Sequence, residues 1–580
     1  MIEADEIYIT RRIIDACLRE NLFGLLDSAR LTHELPQDAP AWDEGNTNNR
    51  WLQIKIAGGT AHLPVVEAST MQRWLVANPV WWVEDATGWR LCLGYRQWLR
   101  MLAADRDEQT QDAFEQYVLE ADIAVEHRRL CREAFNDKRE LLKCLISDAQ
   151  DWSARMLFSD QIASYLDHPY YPTARAKPGF GEQEMRQYAP EFTPEFQLRW
   201  IAVDKQRVSV AGSPPSCWPS MSDVGLPDSL KQSHRLFPIH PVSWENVPED
   251  RLGVIKAPLT AVTVIPTLSV RTVAVANDPY THIKVPLEVR TLGTRNVRLI
   301  KPSTIIDGHN LSLILQRIEQ IDVALRGRYQ HCDEEHGAHF DGNNSIAYIV
   351  RRYPEPLPES CSLVPVAALV SPMPNGDLYL QQLLDTYYQG DVCQWLGEYL
   401  DLMLGVHLRL WLRYGIALEA NQQNAVLVFD HERPLTLVMK DNDSARLWPR
   451  RLLSAVPEVA STVTAIQDQR IKVEDELPLA QMFCTITLQL NISAIFEAMI
   501  KAGMAQRSDL YGQLRLRLRN HLDSLESEGI RTKSAQDILF ADRLYVKYLL
   551  TAGSLLSKQQ SGAADINKYY GLSAPNFLKD

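Results

Sequence analysis

Two short apolar runs, AVLVF (425–429) and LTLVM (435–439), flank the turn DHERP (430–434). That pattern predicts a β-hairpin, and its register fixes which polar residues meet at its open end. If Phe429 pairs with Leu435, Asn424 faces Lys440 and Asp441 lies one step beyond. A slip of one residue leaves the same neighbourhood: Gln423, Asn424, Lys440, Asp441 and Asp443. An amide and carboxylates gathered at one point suit a hard cation such as Mg²⁺, which in turn bridges phosphates. Protein kinases combine an Asn and an Asp on nearby segments for this purpose. The plain alternative is that KDND is a polar turn, and the hairpin alone does not choose.

The rest of the chain divides into three regions. Residues 1–145 begin with an amphipathic helix over ITRRIIDACLRENLFGLLDSARL. Short strands follow at WLQIKI, AHLPVVEA and PVWWVED, and helical spacing returns from GWRLCLGYRQWLRMLAADRD onward. Residues 146–390 hold the turn signals, an exposed loop at SPPSCWPSMSDVGLPDS, and three strand-like segments: AVTVIPTLSVRTVAVA, HIKVPLEVRTL and NVRLIKPSTII. The tract CDEEHGAHFDGNN has irregularly spaced acids and histidines and reads as a solvated loop rather than a metal cluster. Residues 391–580 are mainly helical. Trp395, Leu396, Tyr399, Leu402, Met403, Val406 and Leu410 predict a long helix with one buried face. The expected class is α+β, with an N-terminal mixed region, a β-rich middle and a helical C-terminal region.

Composition sets limits. A chain of 580 residues is too long for one ordinary core and points to two to four domains. The net charge of -13 argues against a protein built to grip nucleic acid. No stretch approaches the roughly 20 uninterrupted apolar residues of a membrane helix, and MIEADEIYIT lacks the basic start of a signal peptide. A cytoplasmic protein with no membrane partner is expected. The nine cysteines are scattered and never spaced CxxC, so free thiols are expected rather than disulfides or structural zinc.

An acidic protein that binds an anion must collect its basic residues. Arg271, Lys284, Arg290, Arg295, Arg298 and Lys301 fall within about thirty positions. On a strand Ser269 and Arg271 would share a face. With Lys284, which sits among Ile283, Val285 and Pro286, they could hold a phosphate or a carboxylate. DHPYYPTARAKPGFG offers His168, Arg175 and Lys177 as a phosphate-contacting loop, without the spacing of a known glycine fingerprint. His240, between two prolines in FPIHP, reads as structural.

Taken in order, these segments resemble the IucA/IucC family of NRPS-independent siderophore synthetases. HPYYPTARAKPGF followed by YAPEF (188–192) looks like the family's HPxHPxxKxxxGF and YAPEF. FPIHPVSW, SVRT and HIKVPL are similar to its next motifs. GIALEANQQNAVLVF looks like G-x-x-x-E-x-H-x-Q-N, and VMKDND like L-R-D-x-x. LYVKYLL and SAPNFL complete the set. The resemblance implies a cupped-hand fold of thumb, fingers and palm, the palm remotely like a kinase, and a homodimer. It implies use of ATP and Mg²⁺. A carboxylate of citrate, 2-oxoglutarate or a citrate half-amide would attack the α-phosphate and release pyrophosphate. An amine, amino acid or amino alcohol would then capture the acyl-adenylate. By the same resemblance Ser269, Arg271 and Thr272 contact ATP phosphates beside Lys284. His168 lies against the nucleotide, and Gln423 joins the nucleotide-binding set. Arg295, Asn421 and Lys547 bind the carboxylate substrate, and Asn424 and Asp441 hold Mg²⁺. Arg295, Lys284 and His168 are the residues expected at the chemistry. Three positions depart from the pattern: Asn421 and Tyr171 stand where histidines are usual, and Arg175 and Lys177 reverse the expected Lys-then-Arg order. A kinase-like phosphotransferase, which would release ADP, and a non-catalytic nucleotide- or citrate-binding protein are the alternatives.

Overall fold

The long helix of the C-terminal region stops where its sequence says it must. It runs Val392–Tyr414, opened by the Asp391 carboxylate accepting from the Gln394 backbone N–H. It is closed by Gly415 at φ 67°. A Cβ at Gly415 would lie 2.9 Å from that of Arg451 and 3.1 Å from the Trp448 carbonyl, so close approach and backbone angle both call for glycine. This computed structural model describes residues 3–36, 39, 50–148, 151–248, 253–290, 297–354, 357–556 and 569–579. The helix is buried on most sides, not on one face as its spacing suggested. It is a central element of the largest core, which also takes in Phe483, Leu514 and Leu544. That core crosses position 390, drawing Phe158, Ile162, Leu311 and Leu315 from the middle of the chain.

The N-terminal region is an antiparallel sheet against helices Ala4–Arg19, Tyr95–Ala103 and Glu108–Asp137. GWRLCL is a strand of this sheet (Gly88–Leu93), not the start of a helix. Asp85 and Thr87 form the turn before it, Trp81 pairs with Cys92, and the helix begins only after Gly94. The middle region is a nine-stranded sheet. AVTVIPTLSVRTVAVA is two of its strands, Ala261–Pro266 and Thr272–Val275, paired antiparallel with Val264 opposite Val275. NVRLIKPSTII is mostly helix: after the short strand Val297–Arg298, Pro302 begins the helix Pro302–Ile321. Proline is favoured at that first position because its missing N–H is not needed there.

The hairpin forms in the register expected. Ala425 pairs with Met439 and Val428 with Thr436. The Lys440 N–H donates to the Asn424 carbonyl at 3.0 Å. Strands Tyr329–His331 and Ser362–Pro365 flank it in a four-stranded sheet. The helical stretch Leu477–Lys501 has the length and apolarity of a membrane span, yet 78% of its apolar window is buried inside the protein, as in a core helix. Its centre, Phe483–Ser493, is wound in wide π turns, which tend to sit at functional sites. The eight cysteines whose side chains are described are all free.

Candidate functional site

The open end of the hairpin, the turn between strands Ala261–Pro266 and Thr272–Val275, and the π-wound helix enclose a cleft of about 390 Å³. Ser269 and Arg271 both line it, but not by strand alternation. They belong to a tight turn in which the Arg271 N–H donates to the Ser269 carbonyl at 2.8 Å, with Val270 at φ 64°. A left-handed β-branched residue costs about 1–2 kcal/mol, and such strain clusters at functional sites. The Ser269 hydroxyl accepts from the Thr272 N–H at 3.1 Å. Thr272 itself is buried in its strand and does not line the cleft, so its side chain is not among the groups brought together there.

Arg271 donates to the Leu299 carbonyl at 2.8 Å and forms no ion pair among the described residues. Arg298 lines the same cleft, also unpaired, and its Nε finds no partner. Burial, and then the charge of Arg298, push Arg271 down to about 9. Burial likewise lowers Arg298. Two half-buried guanidinium groups with no ion pair among the described residues make a site that favours an incoming anion. Arg298 entered the sequence reading only as one of six clustered cations.

Opposite them lies a carboxylate cluster. The Lys284 ammonium sits 2.6 Å from Asp441 Oδ1 and 3.9 Å from Asp443. Arg351 spans Asp441 at 2.6 Å and Glu334 at 2.5 Å. Glu334 also accepts the backbone N–H groups of Asp441 and Asn442, each at 3.2 Å. Asp441 is held at φ 56°, a left-handed conformation Asp tolerates better than most residues. Burial opposes the ionisation of Asp441, but Arg351 and then Lys284 outweigh it and hold the carboxyl well below the usual range. Burial raises Asp443, and the nearby charges of Asp441 and Glu334 add to the rise against Lys284. Glu334 was missed. The tract CDEEHGAHFDGNN is not a solvated loop: Cys332, Glu334 and His336 are buried, and Gly337–Phe340 is a strand.

Of the remaining expected residues, His168, Asn421, Gln423, Asn424 and Lys547 line the cleft with Lys284 and Asp441. His168 Nδ1 accepts the N–H groups of Tyr170 and Tyr171, at 3.2 and 3.0 Å. Burial, and then Arg12, push it down to about 3, so the ring is neutral with its proton on Nε2. Asn421 uses its side-chain oxygen on the N–H groups of Gln423 and Asn424, shaping the loop that presents them. The Asn424 amide nitrogen donates to the Glu419 carbonyl at 3.2 Å, which leaves its oxygen as an acceptor. Arg295 lies outside the described residues. Arg175 and Lys177 reach the cleft wall but are engaged in a buried ion network with Asp167 and Glu191. Tyr171 is buried elsewhere, bonded to Glu120 at 2.8 Å and Ser554 at 2.9 Å. His240 is buried and caps the turn at Pro241–Ser243 through the Val242 N–H.

Oxygens of Glu334, Asp441 and Asp443 lie within 4.8 Å of one another; Asp441 and Asp443 line the cleft with Asn424, and Glu334 is buried behind them. This all-oxygen donor set fits a hard divalent cation, and the raised Asp443 is a carboxyl such a cation would relieve.

The description "IucA / IucC family" matches residues 155–371, and "Ferric iron reductase FhuF-like transporter" matches 393–561. The staphyloferrin B synthase of Staphylococcus aureus is 22% identical over 93% of this chain and 92% of its own length. The D-ornithine--citrate ligase of the same organism is 22% identical over 76% and 72%. Two solved structures share the fold. The petrobactin biosynthesis protein AsbB of Bacillus anthracis has a TM-score of 0.75 at 18% identity, covering 99% of this chain and 96% of its own. ATP-bound aerobactin synthetase IucA of Klebsiella pneumoniae has 0.70 at 18%, covering 99% of both. The matched segment and the fold shared over nearly the whole chain agree with the order of motifs read from the sequence. Residues 155–371 belong to the IucA/IucC family.

Arg271→Ala removes one of the two cleft guanidinium groups that form no ion pair among the described residues. ATP binding, read by isothermal titration with the circular dichroism spectrum as a fold control, is expected to weaken at least about tenfold, since charge-assisted contacts are worth roughly 1.5–3 kcal/mol. Near-parental ATP affinity would remove Arg271 from the nucleotide site.

Proposed function

We propose that this chain is an ATP-dependent ligase that activates a carboxylate of citrate, or of a related polycarboxylate, as its adenylate. An amine or hydroxyl then takes the acyl group, giving an amide or ester in a siderophore. The observation that carries this is the pair of guanidinium groups, Arg271 and Arg298, that form no ion pair among the described residues and share one cleft with the Lys284–Asp441 cluster. The staphyloferrin B synthase, the citrate ligase and the ATP-bound synthetase, by their names, support the same reading.

Adenylation joins two anions, so each must be neutralised before they approach. Arg271, Arg298 and Lys284 neutralise the phosphates. Arg295, Asn421 and Lys547 take the polycarboxylate, and the neutral His168 offers its Nε2–H as a donor. The carboxylate oxygen bonds to the α-phosphorus as the bond to the bridging oxygen breaks, and pyrophosphate leaves with the electron pair. The amine nitrogen then attacks the acyl carbon, AMP leaves, and the amine gives up a proton. Asn424, Asp441 and Asp443 would hold Mg²⁺, which supplies charge neutralisation at the phosphates. Positioning accounts for much of the remainder. The same reading includes the thumb, fingers and palm arrangement, a kinase-like palm, a cytoplasmic location and a homodimer.

The test uses purified protein with ATP, Mg²⁺, citrate or 2-oxoglutarate, and hydroxylamine, a general trap for activated carboxylates. Hydroxamate with AMP and pyrophosphate is the expected result. ADP in place of AMP would turn the reading to a phosphotransferase. ATP binding without turnover would make the protein a binding module, with Asn421→His the first reversion to try.

A further inference from the structure

A second cavity of about 210 Å³ opens off the cleft, sharing Arg271, Lys284, Glu419, Asp443 and Lys547 with it. Its charge pattern is asymmetric. The wall away from the cleft carries Lys301, Arg446 and Arg470, with Asp468 as the acid among them. Asp468 is already spoken for. The Arg470 Nε donates to both its oxygens, at 2.8 and 3.1 Å, and hydrogen bonding from Arg470 holds the carboxyl down at about 2. Arg470 neutralises Asp468, with Lys301 acting on it at longer range, so the wall keeps a net positive charge carried by Lys301 and Arg446.

Neither Lys301 nor Arg446 forms an ion pair among the described residues. Arg446 is half-buried, and its hydrogen bond is to the Ala445 carbonyl at 3.2 Å. Lys301 precedes the helix Pro302–Ile321, whose start has no side-chain cap. The dipole of that helix adds to the positive potential at this end. At the other end, where the two cavities meet, the Glu419 carboxylate is half-buried and forms no ion pair among the described residues.

We propose that the amine substrate carries its own carboxylate, as an amino acid does, and that Lys301 and Arg446 hold that carboxylate in the second cavity. The inference rests on the ligase reading above and names the class of its nucleophile. Glu419 faces the ammonium end, where the nitrogen must stand to reach the activated acyl carbon. A diamine or polyamine in the same pose would put a second ammonium against Lys301 and Arg446, and like charges in a partly buried site repel. Of the two acids at the junction, Asp443 is paired with Lys284 and Glu419 has no ion pair among the described residues; that acid, set apart from the two cations beyond it, matches a zwitterion rather than a polycation.

The experiment pairs amino acids with their decarboxylated partners: 2,3-diaminopropanoate with 1,2-diaminoethane, ornithine with putrescine, serine with ethanolamine, lysine with cadaverine. Hydroxylamine, which has no carboxylate, is the internal reference for adenylate formation. In whichever pair is turned over, the carboxylate-bearing member is expected to have the higher kcat/KM by at least about tenfold. Arg446→Gln should lower capture of that amino acid relative to hydroxylamine by a similar factor, through KM. Lys301→Gln, at an exposed position, repeats the test if Arg446→Gln misfolds. The proposal is overturned if the decarboxylated member is equal or better, or if no amino acid is taken although hydroxamate forms. It is equally overturned if the substitutions raise the KM for citrate and leave that of the amine alone, which would assign the cavity to the acid. Failure of hydroxamate to form from any acid is a different result, and it removes the ligase reading itself.

Discussion

Asp441→Asn is expected to lower Mg²⁺-dependent ATP turnover by about a hundred- to a thousandfold, the usual consequence of removing one preorganised electrostatic group from a reaction centre. Asn has nearly the same shape and accepts the left-handed backbone angle found at this position, so the local fold should persist. What goes is the charge. Lys284 and Arg351 both sit 2.6 Å from Asp441 Oδ1, and both are buried. Without that carboxylate Arg351 keeps only Glu334 and Lys284 only the more distant Asp443, so the cluster becomes one charge more positive where the cation must bind. Stability should fall as well, with a pH signature whose sign is fixed. The Asp441 carboxyl titrates below its unfolded value of about 3.9, so its contribution is present above that pH and is lost as pH falls through the folded value. The stability gap between parent and Asp441→Asn should therefore narrow as pH drops below about 4. Asp443 works the other way. Its raised carboxyl penalises the folded state as pH rises above the ordinary carboxylate range, and a bound cation would remove that penalty. Pyrophosphate release measured across a Mg²⁺ titration checks the catalytic half. Turnover within threefold of the parent, with the same Mg²⁺ dependence, would take Asp441 out of the metal site.

Where local pattern and tertiary role coincide, the sequence was sufficient. The hairpin register followed from two apolar runs around one turn, and it placed Asn424 opposite Lys440 without any long-range information. Ser269 and Arg271 were rightly paired for a different reason, because a turn at Val270 and not strand alternation brings them to one cleft. That is also why Thr272, the first residue of the next strand, turns away. The helix at Pro302 was masked by a run of β-branched residues, although a proline after Lys301 is a usual way for a helix to begin. Glu334 was hidden differently. The acids of its tract suggested solvent, while the informative signal was the period of two in Cys332, Glu334 and His336, buried between exposed Asp333 and Glu335. Nothing in the local sequence ties Glu334 to Asp441, 107 positions away, or Lys301 to Arg446 across the second cavity. Such neighbours are made by topology, here by the strand Tyr329–His331 lying parallel to the second strand of the hairpin.

Arg351→Met tests whether that topology is held by charge. Arg351 bridges Glu334 and Asp441 and is 3% exposed. Met fills similar space and removes the guanidinium, leaving Glu334 without its cation and Asp441 with Lys284 alone. Breaking a buried pair from one side costs about 3–5 kcal/mol, because the stranded charge stays buried. The midpoint of urea unfolding should drop accordingly, and adding Glu334→Gln should recover part of the loss by removing one of the stranded charges. A midpoint unchanged by Arg351→Met would mean the contact carries little. Mg²⁺ separates the two roles of the cluster. A ligand of the folded state stabilises by about 2.7 kcal/mol at a hundred times its Kd. If Glu334, Asp441 and Asp443 form a cation site, the more negative cluster of Arg351→Met should bind Mg²⁺ more tightly and be stabilised by it more than the parent is. Equal stabilisation of both would mean that the cation binds elsewhere and that Arg351, Glu334 and Asp441 are a structural clamp. Greater stabilisation of the variant would mean that Arg351 tunes the site, holding Asp441 in place while keeping the cation's grip weak enough to release.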